Sequence, residues 1–210
     1  MHPARVSDVY LEQGRTWTFA CAVDWPGWAR RGKGDEAALE ELLTYADRYA
    51  LVVPGFAPGV LRVVGTLPGN ATTDFGAPDA RGPWDGTPGE ADPGDVDRLA
   101  DLLGLCWSAF DRAADASGPA LRKGPRGGGR DREGVVAHVR EAERSYGRTL
   151  GARVPPRTPW PEQRAALDVA IRAGAPDGRW PVRYAVRRFA WHVLDHAWEI
   201  EDKQVAPTPD

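Results

Sequence analysis

The chain has 210 residues, of which 42% are hydrophobic and 27% are charged, which is the composition of a globular protein with one large domain or two small ones. Its formal net charge of −3 gives no overall attraction to nucleic acid or to an anionic membrane, and no apolar run approaches the length of a membrane span. The N-terminus leads directly into a strand-like segment without the apolar region of a signal peptide, so we expect a soluble cytoplasmic protein. The two cysteines, Cys21 and Cys106, lie in apolar runs and are interpreted as buried reduced thiols, with a disulfide as the alternative.

The first third of the chain has the pattern of a small α+β unit. Residues 6–23 have the β-branched and aromatic composition of two strands around a tight turn at Gln13-Gly14. A helix with one apolar stripe is predicted from Asp35 to Ala50, and a further strand at residues 60–65. We assign this unit to residues 1–68.

Residues 69–94 are rich in Gly, Pro, Asp and Thr. A segment of this composition buries too little apolar area to fold alone. We therefore predict a linker or an irregular covering between two folded units.

The α+β unit resembles the HicB-like partial RNase-H-type module. The resemblance rests on the strand at residues 19–22, the turn at residues 24–28 and the helix that starts at Asp35. Members of that family serve as antitoxins or as ligand-binding appendages, and no partner toxin or DNA-binding segment is visible in this sequence. The alternative is a small sheet that braces the C-terminal domain or dimerises.

Four helices are predicted in residues 95–204, and we expect them to form an all-α up-down four-helix bundle after the α+β unit. The first begins at Asp95 and has the alternating three- and four-residue apolar spacing of a bundle helix. The second covers residues 133–150 and the third begins at Pro161. The fourth begins at Pro181, where the missing N–H of a proline costs nothing in the first turn.

The fourth of these helices carries two histidines on its apolar side. His192 and His196 are four residues apart, so both imidazoles leave the same side of the helix and can chelate one metal ion. His138 borders the apolar side of the second helix and is the candidate third ligand. Each histidine could instead be a satisfied core residue, but three of the four histidines lie on or beside helix faces that should share one core, which favours a metal site.

A stretch rich in glycine and arginine, residues 121–132, precedes the His138 helix. Backbone N–H groups in such a loop, together with the positive end of the helix, can hold an anion. We predict that Arg126 and Arg130 hold an anionic part of a cosubstrate near the metal. The spacing matches neither the phosphate loop nor the dinucleotide-binding motif, and a solvated loop is the alternative.

The order and helix placement of these histidines resemble the DinB-like metal-dependent superfamily over residues 95–203. The matching stretches are residues 135–143, with His138, and residues 191–199, with the His192 and His196 pair. The resemblance implies a four-helix bundle with a three-histidine site for Zn, Ni or a similar divalent ion. Family members include S-transferases and isomerases that use low-molecular-weight thiols such as mycothiol or bacillithiol.

A metal ion held by three neutral histidines keeps at least one coordination position open, and it could lower the pKa of a water or a thiol. The thiol would be a cosubstrate, because neither cysteine lies on a motif face. The leading hypothesis is a thiol-dependent S-transferase that acts on small electrophiles, with Zn as the ion or else Ni, Fe or Mn. The alternatives are a metal-dependent hydrolase and a non-enzymatic binding or regulatory protein with a structural metal site.

Glu199 and Tyr184 are the candidate catalytic groups, because both lie on the histidine helix. For Glu199 the alternative role is to hold a metal ligand in its tautomer. We expect a small-molecule substrate, and neither nucleic acid nor a membrane as partner. A homodimer is compatible with the sequence.

Overall fold

The computed structural model describes residues 5–124 and 129–205 of the chain. The protein is a mixed α/β structure in which a four-stranded sheet is followed by several helices. The strands are β1 (Val6–Gln13), β2 (Thr18–Ala22), β3 (Ala29–Gly32) and β4 (Val60–Pro68). The helices are α1 (Asp35–Thr44), α2 (Ala46–Val52), α3 (Ala71–Phe75), α4 (Pro93–Ala116), α5 (Arg132–Gly147), α6 (Trp160–Arg172) and α7 (Val182–Asp202), with 3₁₀ turns at Pro83–Asp85 and Arg148–Leu150.

The sheet has the strand order β3-β2-β1-β4. The predicted hairpin is confirmed, because β1 and β2 pair in antiparallel register and the chain reverses where the Gly14 amide donates to the Trp17 carbonyl at 2.9 Å. β4 returns parallel to β1 after the crossover through α1 and α2, as parallel neighbours require. Successive side chains of β1 face opposite sides of the sheet, so Val9 and Tyr10 belong to different apolar clusters.

The prediction of one continuous helix from Asp35 to Ala50 is wrong. The structure has two helices over this segment, α1 and α2, which meet at Tyr45. The ring of Tyr45 packs against Trp198 of α7, with ring centroids 5.0 Å apart. The guanidinium of Arg30 lies 3.6 Å from the centroid of the same Tyr45 ring. These contacts with β3 and α7 accompany the change of direction, and the local sequence pattern does not contain them.

The four predicted C-terminal helices are present as α4 to α7. α4 begins at Pro93, two residues before the predicted start, because Asp92 caps it by accepting from the Asp95 amide at 3.0 Å. α7 packs along α4 and α5, and α6 packs against α4 and α5. Among the described residues, no helix combines the length and apolar character that crossing a lipid bilayer requires.

α7 lies at the centre of the molecule. Its apolar spacing predicted one buried face, whereas 15 of its 21 residues are buried, so the helix is covered on nearly all sides. One continuous core joins it to the sheet side and to α4, since Trp28, Leu42, Leu103 and Phe189 belong to a single apolar cluster. The sheet and the helices are therefore packed against each other directly.

Gly27 is required where the turn before β3 touches α7. Its φ is +91°, a conformation that L side chains rarely adopt. A Cβ at this position would lie 2.8 Å from Leu194 Cδ1 and 3.2 Å from the Ala190 carbonyl oxygen. A larger residue would therefore separate the turn from the helix that carries two of the histidines.

The segment between the sheet and α4 is held by buried polar contacts. The carboxylate of Glu12 on β1 is fully buried and accepts from the backbone amides of Asp79 and Ala80 at 2.8–2.9 Å. At the other end, Arg187 of α7 donates to both carboxylate oxygens of Asp85 at 2.6 and 2.7 Å. Residues 69–92 therefore cover the molecule in one fixed position, attached to both the sheet and α7.

Candidate metal centre

Three histidines meet between α5 and α7. His192 and His196 leave the same side of α7, and His138 reaches them from α5. Each ring offers one nitrogen, and these three nitrogens lie within 4.8 Å of one another. The Nε2 atoms of His138 and His192 are 3.1 Å apart. The structure thus brings together all three predicted ligands, within the roughly 5 Å that a chelate requires.

Glu199 fixes the orientation of His196. The Nδ1 of His196 lies 2.7 Å from Glu199 Oε2, and Lys203 donates to the other carboxylate oxygen at 2.6 Å. The hydrogen bond from His196 is the main cause that lowers the pKa of Glu199 to about 2. An ionised carboxylate accepts the Nδ1 proton, so Nε2 of His196 is the nitrogen left with a free lone pair.

Burial and neighbouring positive charge disfavour the protonated forms of His192 and His138. Burial lowers the pKa of His192 well below its ordinary value, and the neighbouring charges of His196 and His138 lower it further. Burial, followed by the charge of His196, also lowers the pKa of His138. Neutral imidazole is the form that binds a metal, so both rings are available as ligands at neutral pH.

This donor set fits a divalent transition metal. Zn–N bonds of about 2.0–2.1 Å at tetrahedral angles place two ligand nitrogens about 3.3 Å apart, close to the 3.1 Å between His138 and His192. Three imidazole nitrogens suit Zn, Ni, Cu or Fe better than Mg or Ca, which prefer oxygen ligands. Three protein ligands are also the number found in catalytic rather than structural zinc sites.

Tyr146 and Arg188 lie beside the histidines. The ring centroid of Tyr146 is 5.9 Å from that of His192, and its hydroxyl accepts from Arg188 Nη2 at 3.4 Å. Tyr146 was not among the residues predicted to have a functional role. The available signal was its position eight residues after His138, which places both on one side of α5.

Tyr184 is placed elsewhere. Its hydroxyl lies 3.0 Å from the Asp79 carbonyl oxygen and 3.1 Å from the Asp79 carboxylate, and burial raises its pKa above the ordinary value. Eight helical residues separate Tyr184 from His192, which is about 12 Å along the helix axis. The structure therefore ties the Tyr184 hydroxyl to residues 69–92, which we call the covering segment.

Of the two arginines predicted to bind an anion, the structure describes only Arg130. Arg126 lies outside the described residues. The charge of Arg130 contributes to the lowered pKa values of His138 and His192. The glycine- and arginine-rich stretch that contains Arg130 also contacts the end of α7, because the Arg122 amide donates to the Lys203 carbonyl at 2.8 Å.

Neither cysteine can serve as the nucleophile. Cys21 and Cys106 are both buried and free, which confirms the interpretation of them as reduced thiols. Burial raises the pKa of each thiol to about 12. A nucleophilic thiolate at this site would therefore have to come from another molecule.

Replacing Glu199 by Ala is expected to weaken Zn²⁺ binding by about 10–100-fold, because His196 would lose the carboxylate that fixes its tautomer. Affinity can be measured by competition with a chromogenic chelator. Glu201→Ala is the matched control, since Glu201 is on the same helix but binds Arg48 at 2.6 Å. Equal affinities of wild type and both variants would show that Glu199 does not position the ligand.

The chain matches no protein-family model, no curated protein and no solved structure. The imidazoles of His138, His192 and His196, with the Glu199 carboxylate bound to Nδ1 of His196, form a candidate metal centre.

Proposed function

We propose that this protein is a metal-dependent enzyme of the DinB-like type, which transfers a low-molecular-weight thiol to small electrophilic substrates. The observation that carries the proposal is the convergence of His138, His192 and His196 within 4.8 Å. Zn²⁺ is the proposed ion, with Ni, Fe and Mn as alternatives. The mycothiol-like cosubstrate belongs to the same proposal, as does a cytoplasmic location.

The four C-terminal helices are proposed to be an up-down four-helix bundle, over residues 95–204, that follows a HicB-like module. The packing of α7 along α4 and α5, and of α6 against both, supports this arrangement. The histidines then come from the second and fourth helices, as the resemblance implies. Residues 69–94 connect the two units and also cover them.

A divalent ion in such a site lowers the pKa of a thiol or a water, so that the anion becomes the nucleophile. The chain's own residues prepare the site. Glu199 holds His196, and burial keeps His192 neutral. Arg188 donates to the Tyr146 oxygen, which leaves the Tyr146 O–H free to donate to a substrate group that gains negative charge. The charge of Arg130 favours an anionic cosubstrate nearby.

The test is turnover of a reactive model electrophile, monochlorobimane, by the Zn²⁺-loaded protein with mycothiol, bacillithiol or glutathione. We expect product formation only when both metal and thiol are present, with loss of activity on chelation and recovery on adding metal. His196→Ala should be inactive, and Glu201→Ala should match wild type.

Two results would contradict the proposal. Metal-dependent cleavage of a model ester without any thiol would identify a hydrolase, in which water takes the place of the thiol. A stoichiometrically bound metal without turnover of any electrophile would identify a binding or regulatory protein.

A further inference from the structure

Three exposed arginines surround a depression far from the histidines. Arg148 follows the end of α5, Arg153 lies in the loop before α6, and Arg179 lies in the loop before α7. We call these three residues and the space between them the arginine depression; its volume is about 990 Å³. Ten residues separate Arg148 from His138, or about 15 Å along the helix axis.

The two loops that carry these arginines are fixed against each other by their backbones. The Thr149 carbonyl accepts from the amides of Arg179 at 2.7 Å and Trp180 at 3.3 Å. Gly151 has a φ of +82°, and a Cβ there would lie 3.3 Å from the Cβ of Asp177 in the other loop. The spacing of the three arginine backbones is thus set in the absence of a ligand.

The positive charge in the depression is not balanced. Within residues 5–124 and 129–205, the side chains of Arg148, Arg153 and Arg179 make no hydrogen bond or ion pair, whereas Arg164 and Arg172 are bound by carboxylates. Among the described residues, Asp177 is the one acidic residue that lines the depression. Three guanidinium groups therefore face one carboxylate, with an excess of two positive charges.

Guanidinium groups bind oxyanions through paired N–H donors, and phosphate presents three oxygens and up to two charges to them. A single carboxylate would satisfy one arginine and leave the others unpaired. The buried Val154 and the adjoining Pro155 add an apolar wall, and the volume is within the range of small-molecule sites. The net charge of −3 over the whole chain argues against a long polyanion.

We propose that the arginine depression binds a phosphorylated small molecule, with the phosphate held by Arg148, Arg153 and Arg179. This site is separate from the histidines and does not depend on the function proposed for them. Because the binding is electrostatic, it weakens as the salt concentration rises.

The test is isothermal titration calorimetry of the full chain with inorganic phosphate and with pyrophosphate. Chloride is used to match the ionic strength of the buffers. We expect both anions to bind, and the triple variant Arg148→Ala, Arg153→Ala, Arg179→Ala to bind at least about tenfold more weakly. Arg112→Ala is the matched control, since Arg112 is an exposed arginine on α4 away from the depression. It should bind as wild type does.

A triple Arg→Lys variant of the same residues is the second test, in case the triple Ala variant does not fold. It keeps the three charges but loses the paired N–H donors, so we expect an affinity between those of wild type and the triple Ala variant. Absence of binding by wild type at millimolar phosphate, or equal binding by wild type and the triple Ala variant, would overturn the proposal. Binding of a short single-stranded oligonucleotide without binding of either phosphate probe would also overturn it, because the surface would then recognise nucleic acid.

Discussion

Replacing His192 by Ala is expected to weaken Zn²⁺ binding by more than about 100-fold. Loss of an orienting partner alone costs about 10–100-fold, and this change removes a ligand nitrogen itself. The Nε2 atoms of His192 and His138 are 3.1 Å apart, so this change also removes one of the contacts between α7 and α5 at the site. The measurements are the metal content of freshly purified protein and the affinity from chelator competition.

The matched control is His2→Ala, which changes the one histidine that has no predicted role. His192→Gln is the second variant, because glutamine fills more of the buried space than alanine and separates loss of a ligand from loss of packing. Full metal content in both His192 variants and in His138→Ala would rule out the three-histidine site.

Replacing Asp85 by Ala is expected to reduce the free energy of unfolding by about 3–5 kcal/mol, the cost of leaving a buried charge without its partner. The side chains of Arg187 and Asp85 are 8% and 1% exposed, so water cannot compensate for the lost carboxylate. Denaturant unfolding followed by circular dichroism gives the free energy directly.

Asp97→Ala is the control for this prediction, since Asp97 is an exposed partner of Arg172 and its side chain is 66% exposed. We expect no measurable change from it. The double variant Asp85→Leu, Arg187→Met removes both charges and should recover most of the lost stability. A double variant as unstable as Asp85→Ala would show that the buried charge is not the cause.

This ion pair also links the covering segment to the candidate site. Arg187 is five residues before His192 on α7, and Asp85 belongs to the 3₁₀ turn of the covering segment. Glu12 holds the same segment to β1 through the amides of Asp79 and Ala80. The position of α7, and hence of two histidines, is therefore fixed by residues that are more than 100 positions away in the chain.

Features that depend on local periodicity can be predicted from the amino-acid sequence alone. The hairpin of β1 and β2 follows from β-branched and aromatic residues on either side of Gln13-Gly14, and the buried face of α7 follows from its apolar spacing. The i and i+4 relation of His192 and His196 depends only on helix geometry, so the spacing of the two residues in the chain is enough to predict it. The buried thiols of Cys21 and Cys106 follow in the same way from their apolar neighbours.

Other features depend on contacts between segments that are distant in the chain, and the local sequence pattern does not contain these contacts. Tyr184 and Glu199 were equivalent as polar residues on the histidine helix, but α7 directs Tyr184 to Asp79 and Glu199 to His196. The break at Tyr45 and the fixed position of residues 69–92 likewise involve distant partners, on the sheet as well as on α7. Local sequence sets which face of a helix is apolar, but the direction from which a neighbour approaches is set by the packing of the whole core.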